Sequence, residues 1–581
     1  MIKQAIFLQM VILVWMFILS KIVVNILSYK LYNICMILTP LIIFVCGMSF
    51  IVKNNEDVNT TLKIITFCMI MFGVIILAWN TDDAYHGFVM ARNWVEGNGL
   101  VYNVGERVNA STMPLQTIMH GILYFLCGDM MFAAMYLGII ESGLAVLLIL
   151  LFFCDNKWKI GITFFVWFSK GLMTFSTSGL ENSLLFLLAV LLMNSLFQAK
   201  ENYDRRKLLE IAFYMGLIAF ARMDAVLIFV PVSLYVFFLK RNKEISFGTC
   251  IVIGIIGLSP IIVWEVFSLL YYGFLFPNTA YAKLGTGYPI QDYWLRGISY
   301  FIATFLTDSV IIIVQVSYIY LALKSKNTLH ICIASGIFLY SIFLINVGGD
   351  FMVGRHFTVT AVTSLCGITL INEKSYTETI RTVIISSVFL STVLCGPLQK
   401  HILWGTEKGI LFTAAVADER AFYFDSTCLL SKLGIFSNHD YEIWSSEEIA
   451  EIEKSNVKGK VINWAPGILR YYYAREKIVE DPHALGDAFL TKLKAVDEGA
   501  SWRIGHMRRI IPAGYNETLE LGQNCLVNPY LHEYYDKLSL IIKGDLFNRE
   551  RLKTIININL GKYDYLLEEY QRELSEGFAP S

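Results

Sequence analysis

The chain has 581 residues, of which 56% are hydrophobic and only 16% charged. A mean hydropathy of +0.55 excludes a soluble globular protein and leaves a polytopic α-helical membrane protein, whose first partner is the lipid bilayer. With 47 cationic against 48 anionic side chains, no nucleic-acid partner is expected.

Apolar runs recur near 5–28, 35–52, 62–79, 130–153, 160–170, 179–198, 208–222, 224–239, 247–270, 297–322, 329–347, 356–372 and 380–397. Set against a hydrocarbon core of about 30 Å, they predict about 11–13 transmembrane helices, in a membrane domain over 1–397. The short runs at 160–170, 208–222 and 224–239 are half-helices or parts of merged spans. The first run is too long for a cleavable signal peptide and lacks a small-residue cleavage site. Lys and Arg concentrate in KENYDRRK (200–207), KRNK (240–243) and KSKN (324–327), and such loops stay in the cytoplasm. Alternation from them puts the N-terminus inside. It puts DDAYHGF (82–88), SGLEN (178–182), ARMDA (221–225), YYGFLFPNTAYAK (271–283) and GGDFMVGRH (348–356) at the outer ends of spans, and everything after 397 outside.

The tail, 398–581, has an ordinary share of charge and is long enough for a core of its own. SSEEIAEIEKS (445–455) reads as a helix with Ser445 and Glu448 as its capping box, GKVINWA (459–465) as a strand, and 550–559 with 562–577 as helix. A mixed α/β extracytoplasmic domain is expected. Its cysteines, Cys428 and Cys525, are one disulfide or two buried thiols; the other nine of the eleven lie in or beside apolar runs as small core residues.

The first outer loop, 80–129, carries the sharpest polar signal, because Asp82 and Asp83 directly follow an apolar run. Ionisable groups at a membrane surface are costly unless solvated or used. A carboxylate there can take the proton from a sugar hydroxyl attacking an anomeric carbon, and either aspartate can serve. Tyr85, His86, Arg92 and Arg107 follow as loop structure or as substrate contacts, and Gly97, Gly99 and Gly105 mark tight turns. Arg222 and Asp224 neutralise one another or another buried group, and Glu181 stands where the first-turn amides of a span favour an anion. In the loop ending at Lys283, aromatics with Asn278 suit a sugar ring, whereas Lys283 suits a phosphate as a point charge. Arg355 offers phosphate a planar fork of donors, with Gly348, Gly349 and Gly354 folding the backbone around it, and an ion pair with Asp350 is compatible with that role.

In order, DDAY…ARNWVEGNGLVYNVGERV…MPL, TSGLENSL, ARMDA, YYGFLFPNTAYAK and GGDFMVGRHF resemble the blocks of the arabinofuranosyltransferase-like branch of GT-C glycosyltransferases, typified by the arabinogalactan terminal β-1,2-arabinofuranosyltransferases. DPHALGDAFLTKL (481–493) and WRIGHMRRIIPAGY (502–515) extend the resemblance over about residues 80 to 515. It implies an inverting GT-C enzyme of the bacterial inner membrane, its site and C-terminal domain on the periplasmic face. The enzyme would transfer one sugar from a polyprenyl-phosphate donor to an envelope glycan acceptor. By position, Asp82 or Asp83 is the base and Lys283 and Arg355 lie near the donor phosphate; Arg222 is a further phosphate candidate, and His86, Glu181, Asp224, Asn278, Tyr281, Asp350 and His506 are candidates for the sugar site. Two departures stand out: ARMD (221–224) replaces a turn with proline, and ASTMPLQ (110–116) lacks the family's tryptophan.

No Gly-rich nucleotide-phosphate loop is present. No cofactor is expected to be required: the two aspartates could hold Mg²⁺ through oxygen ligands, yet Arg355 and Lys283 could neutralise one phosphate unaided, and no metal site is assigned. The rival reading, a transporter or flippase of lipid-linked saccharides, calls for inverted repeats, and none is evident.

Overall fold

The computed structural model describes residues 58–199, 203–395, 411–412, 416–432, 461–463, 467–475, 478–499 and 502–576. The expected spans at 5–28 and 35–52 and the expected helix at 445–455 lie outside the described residues. Helix α1 (Val58–Ile76) leads into the loop that sets Asp82 and Asp83 before α2 (Ala84–Val95). Helix α3 (Pro114–Cys127) starts on a proline, whose missing N–H would have no helical partner there anyway. Helix α4 (Met130–Phe152) begins where the Asp129 carboxylate accepts the Phe132 N–H at 3.0 Å. Asn156 and Ser169 cap α5 (Lys157–Trp167) and α6 (Lys170–Phe175) in the same way. Then come α7 (Asn182–Gln198) and α8 (Arg205–Ala221).

Three expected spans take other forms. The run 224–239 is a 3₁₀ turn (Met223–Ile228), one α turn, α9 (Val230–Leu234), and a π turn (Tyr235–Lys240). Pro231 lacks the N–H that a continuous helix would use. The run 247–270 divides at Leu258 into α10 (Phe247–Gly257) and α11 (Ser259–Tyr271), bent by 61°, with Pro260 opening the second. After α12 (Asn278–Leu284), the single crossing expected over 297–322 is two helices, α13 (Ile290–Thr307) and α14 (Ser309–Ser325), at 105°. Asp308 forms their corner and accepts the Gly171 N–H at 2.6 Å, which ties the corner to α6.

Helices α15 (Thr328–Asn346), α16 (Phe357–Leu370) and α17 (Glu378–Cys395) complete the bundle. By length and composition α1, α4, α15 and α17 can each cross a bilayer, and the crossings number six if each bent pair counts as one. Shorter apolar stretches lie at 114–127, 182–198, 230–240 and 357–370, below the ~20 residues of a span. The expected 11–13 crossings are therefore not reached among the described residues. Helices α7 and α16 are enclosed by other helices along nearly their whole length, so their apolar character reflects a protein interior as much as lipid. Ile255, Val263, Leu306 and Val393 remain exposed on α10, α11, α13 and α17, a surface suited to hydrocarbon.

In the tail, β1 (Leu411–Phe412) pairs antiparallel with β2 (Val416–Ala417), followed by α18 (Glu419–Thr427) and α19 (Leu429–Lys432). The strand expected at 459–465 is β3 (Val461–Asn463); beyond α20 (Gly467–Tyr473) it pairs in parallel with β4 (Ile478–Glu480). Helices α21 (Tyr515–Leu521), α22 (Pro529–Lys543), α23 (Arg549–Asn559) and α24 (Asp564–Ser575) follow. Leu531, Leu538, Ile541, Ile555 and Leu566 form their core together with Val108 and Ala282 from the membrane region. Buried Arg551 donates to the carbonyls of Leu270 at 2.9 Å and Tyr271 at 2.8 Å, the last residues of α11, and to Ile541 at 2.8 Å. Cys428 and Cys525 are both free, so the disulfide alternative falls: the Cys428 backbone pairs antiparallel with that of Trp79, whereas the Cys525 carbonyl lies against Gly514.

Close helix approach depends on particular glycines. A Cβ on Gly336 in α15 would stand 1.9 Å from the Ile228 carbonyl oxygen, whereas one on Gly161 in α5 would meet nothing within 4 Å. Gly336→Ala should therefore destabilise the protein by about 1–3 kcal/mol. Gly161→Ala should be neutral or stabilising by about 0.5–1 kcal/mol. Thermal unfolding of the two variants in detergent should separate them in that order.

Candidate active site

The polar segments at 80–83, 178–182, 222–224 and 348–356 meet at one end of the bundle, beneath the tail. At their centre Glu181, 1% exposed, accepts Arg222 Nη1 at 2.7 Å and Arg355 Nη2 at 3.1 Å on each oxygen. Arg222 also pairs with Asp224 at 2.7 Å; Arg355 Nη1 lies 3.4 Å from Asp350 Oδ2, and His356 Nε2 lies 3.2 Å from that same oxygen. The backbone explains the meeting. Arg222 is extended at the end of α8, and Gly348 and Gly349, at φ +83° and +73°, turn the chain out of α15. A Cβ on Gly349 would lie 2.5 Å from that of Tyr300, so glycine is required there for space as well as conformation. Burial alone would raise the Asp350 carboxyl, but His356, Arg355 and Lys283 hold it well below the usual carboxylate range.

Asp82 and Asp83 reach this cluster through Thr81, whose N–H donates to the Ser178 carbonyl at 2.9 Å. Asp82 is 9% exposed, and its Oδ1 accepts the Ile468 N–H at 2.7 Å. The tail backbone comes so close that a Cβ on Gly467 would stand 2.2 Å from Oδ1. Oδ2 has no hydrogen bond among the described residues. Burial raises the Asp82 carboxyl to about 6, with Asp83 adding and the Ile468 bond and His86 opposing. The His86 ring lies 5.4 Å from that of Tyr102. Asp83 is a charge neighbour of Arg355 and of Glu419. Glu419 accepts from Thr81 Oγ1 at 3.5 Å, and burial together with Asp83 and Asp82 holds its carboxyl well above the ordinary range.

Helix α20 is fixed over this mouth. Arg92 Nη1 donates to the Tyr471 carbonyl at 2.6 Å and its guanidinium lies 4.5 Å from the Tyr471 ring, which also touches Tyr85 at 5.5 Å. Arg107 donates to the carbonyls of Ile541 and Gly544. Both arginines therefore attach the tail to the loop.

The remaining wall is formed by Lys283 at the end of α12, Phe351, and tail residues 502–507. His506 stacks edge-on to Phe351 at 4.7 Å, and the Arg503 guanidinium lies 5.3 Å from the same ring. The structure thus gathers Asp82, Asp83, His86, Glu181, Arg222, Asp224, Lys283, Asp350, Arg355 and His506 around one region. It does not bring Asn278 and Tyr281 there. Asn278 Nδ2 donates to the carbonyls of Ala484, Leu485 and Asp487 at 2.8, 3.1 and 3.0 Å, while Tyr281 lies 4.5 Å from the Lys492 ammonium. Sequence reasoning missed Glu419, Ile468 and Arg503; only Arg503 stood in a noted block, and a backbone N–H such as that of Ile468 has no side-chain signature. Among the described residues no group of three or more His, Cys, Asp or Glu side chains could hold a metal ion.

A bundle with membrane-crossing helices, a buried ion chain and paired carboxylates beneath its own tail defines a helical membrane protein with a charged, mostly buried cluster at one end of the bundle. Over 238 residues the chain is 25% identical to the terminal beta-(1->2)-arabinofuranosyltransferase of Mycobacterium tuberculosis (strain ATCC 25618 / H37Rv). That stretch covers 38% of this chain and 37% of the relative, so the chain matches little more than a third of that protein's length. No family model and no solved structure matches. The similarity supports a distant relationship to a glycosyltransferase.

Glu181→Gln keeps the size of the side chain but leaves Arg222 and Arg355 short of their shared counter-ion. Removing one member of a buried ion pair costs about 3–5 kcal/mol, and the variant should unfold at a correspondingly lower temperature in detergent. Asp224→Asn should cost less, because its carboxylate is more exposed than that of Glu181.

Proposed function

We propose that this chain is an inverting GT-C glycosyltransferase moving a single sugar, a furanose on the analogy of its relative, from a polyprenyl-phosphate donor to an extracytoplasmic envelope glycan. The membrane domain of 1–397 would lie in the bacterial inner membrane, with the chamber and the tail of 398–581 on the outer face as the basic loops indicate. The observation that carries the reading is the state of Asp82. Its Oδ1 is oriented by the Ile468 N–H, Oδ2 has no hydrogen bond among the described residues and would take a substrate proton, and burial raises the carboxyl to about 6, close to the pH at which a general base works best.

In this reading Oδ2 takes the proton of the acceptor hydroxyl as that oxygen bonds to the anomeric carbon. The carbon–oxygen bond to phosphate breaks on the opposite face, and polyprenyl phosphate leaves with the electron pair. Asp83 supports the ionised base only from a distance, since its charge lies toward Arg355. Arg355 and Arg222, engaged by carboxylates, would form the floor of the site, with Arg355 Nε still without a hydrogen bond among the described residues. Lys283 meets the phosphate, and His86, Asp350 and His506 stand near enough to the chamber to contact sugar.

Asp82→Asn should lower turnover by about 10²–10⁴, measured with labelled polyprenyl-phosphate sugars and envelope-glycan acceptors, and Asp83→Asn should lower it less. Wild-type activity should fall as pH drops through about 6, where Asp82 takes up a proton. Because the fold raises this carboxyl above its ordinary value, ionisation lowers stability as pH rises from about 4 to 6. Asp82→Asn should accordingly unfold at pH 7 no earlier than the wild type. Wild-type turnover in both single variants would remove the base.

A further inference from the structure

We propose that α23 is an interfacial helix: its outward line, Arg549, Lys553, Ile556 and Leu560, with Phe547 just ahead of it, rests on the headgroup layer of the bilayer and prefers anionic phospholipid. The inference is independent of the transferase reading, because it concerns only how the tail meets the membrane.

Spacing and burial give this helix two faces. Arg551, Thr554, Ile555 and Ile558 are buried. Arg549, Lys553, Ile556 and the cap residue Leu560 recur at three- and four-residue intervals, which sets them one above another on the opposite side, and all four are exposed. Ile556 is 61% exposed, Leu560 78%, and Phe547, in the turn before the helix, 82%. A line that alternates cations with bare apolar side chains suits a helix lying in a membrane interface, where ammonium and guanidinium groups meet headgroups while the apolar groups reach the acyl boundary.

The buried face shows where that line lies. Arg551 donates to the last carbonyls of α11, Leu270 at 2.9 Å and Tyr271 at 2.8 Å, and Asn559 Nδ2 donates to the Gly273 carbonyl at 2.8 Å. Helix α10 begins just beyond the basic loop KRNK (240–243), so one end of the α10–α11 pair stands at a membrane surface. At a rise of 1.5 Å per residue the two helices are rods of about 16 and 20 Å, and bent by 61° they reach about 31 Å from end to end, the depth of the hydrocarbon core. Tyr271 therefore stands at the other hydrocarbon boundary. A helix about 10 Å across that is bonded to residues 270, 271 and 273 lies in the headgroup layer and not in bulk water. Charge agrees with an anionic surface: over 549–562 the exposed charges are Arg549, Lys553 and Lys562 against Glu550. The acids at either end, Asp545 and Asp564, are charge neighbours of Arg107 and Lys492.

The test is photo-crosslinking of the full-length protein carrying Phe547→p-benzoylphenylalanine, in nanodiscs of equal phosphatidylcholine and phosphatidylglycerol, with the adducts weighed by intact mass spectrometry. Phospholipid adducts should form, and phosphatidylglycerol should exceed phosphatidylcholine by about fivefold or more, since each cation at a membrane surface favours anionic lipid by roughly that factor. Arg549→Glu together with Lys553→Glu should remove the preference while leaving thermal unfolding unchanged, because both side chains are exposed. The same photoprobe in place of Val263, exposed on α11, should give adducts of both lipids and shows that the chemistry reaches the bilayer. With that control positive, the absence of lipid adducts at 547, or a cross-linked second copy of this chain in their place, overturns the interfacial helix. Equal adducts of the two lipids, or a preference that survives both charge reversals, overturns the selection of anionic headgroups.

Discussion

The Glu181 carboxylate, shared between two guanidiniums, is the constraint from which the rest of the chamber follows. It joins the start of α7 to Arg222, 41 residues later, and to Arg355, 174 residues later. Three charges in a water-poor interior tolerate few arrangements, because each must face an opposite charge at hydrogen-bond distance. Such a cluster adds little net stability over an apolar core, since desolvation consumes most of the attraction. What it supplies is position: with Arg355 held, its carbonyl accepts Asn182 Nδ2 at 3.0 Å, Asp350 is fixed, and Phe351 is presented to the tail.

The described parts of the tail accordingly pack directly onto the charged cluster. The tail backbone orients Asp82, its Glu419 stands against Asp83, and its Arg503 and His506 flank Phe351. The energetic effect on Asp82 is a balance of opposites. Exclusion of water disfavours the ionised carboxylate, while one amide dipole and the neighbouring imidazole favour it, and the balance leaves a group able to gain or lose a proton near neutrality.

The membrane class and the long helices were legible because an uninterrupted apolar run such as 130–153 has few folded alternatives to a helix, and α4 occupies almost that run. Hydropathy records burial and not direction, so it could not show the corner at Asp308, which depends on the Gly171 N–H 137 residues away. The same limit applies to the site. Arg355 reads as a phosphate fork because carboxylate and phosphate present oxygens at similar spacing, and only the fold shows that Glu181 and Asp350 are its carboxylate partners. Asn278 looked suited to a sugar for the donors that it gives instead to three tail carbonyls. Asp82, Glu181 and Asp350 could be singled out because carboxylates at the ends of apolar runs are conspicuous; Ile468 contributes only a main-chain amide.

Arg551 bears on how the chain assembles. The carbonyls that it caps at the end of α11 are synthesised about 280 residues before it, 281 for Leu270 and 280 for Tyr271. Until it arrives those carbonyls need water, which is at hand only if the end of α11 has come to rest at the membrane surface. The guanidinium in turn has nowhere to bury its charge until that helix end is in place. Closure of the tail therefore waits on that helix end, and a misplaced α11 would leave Arg551 without its acceptors on Leu270 and Tyr271.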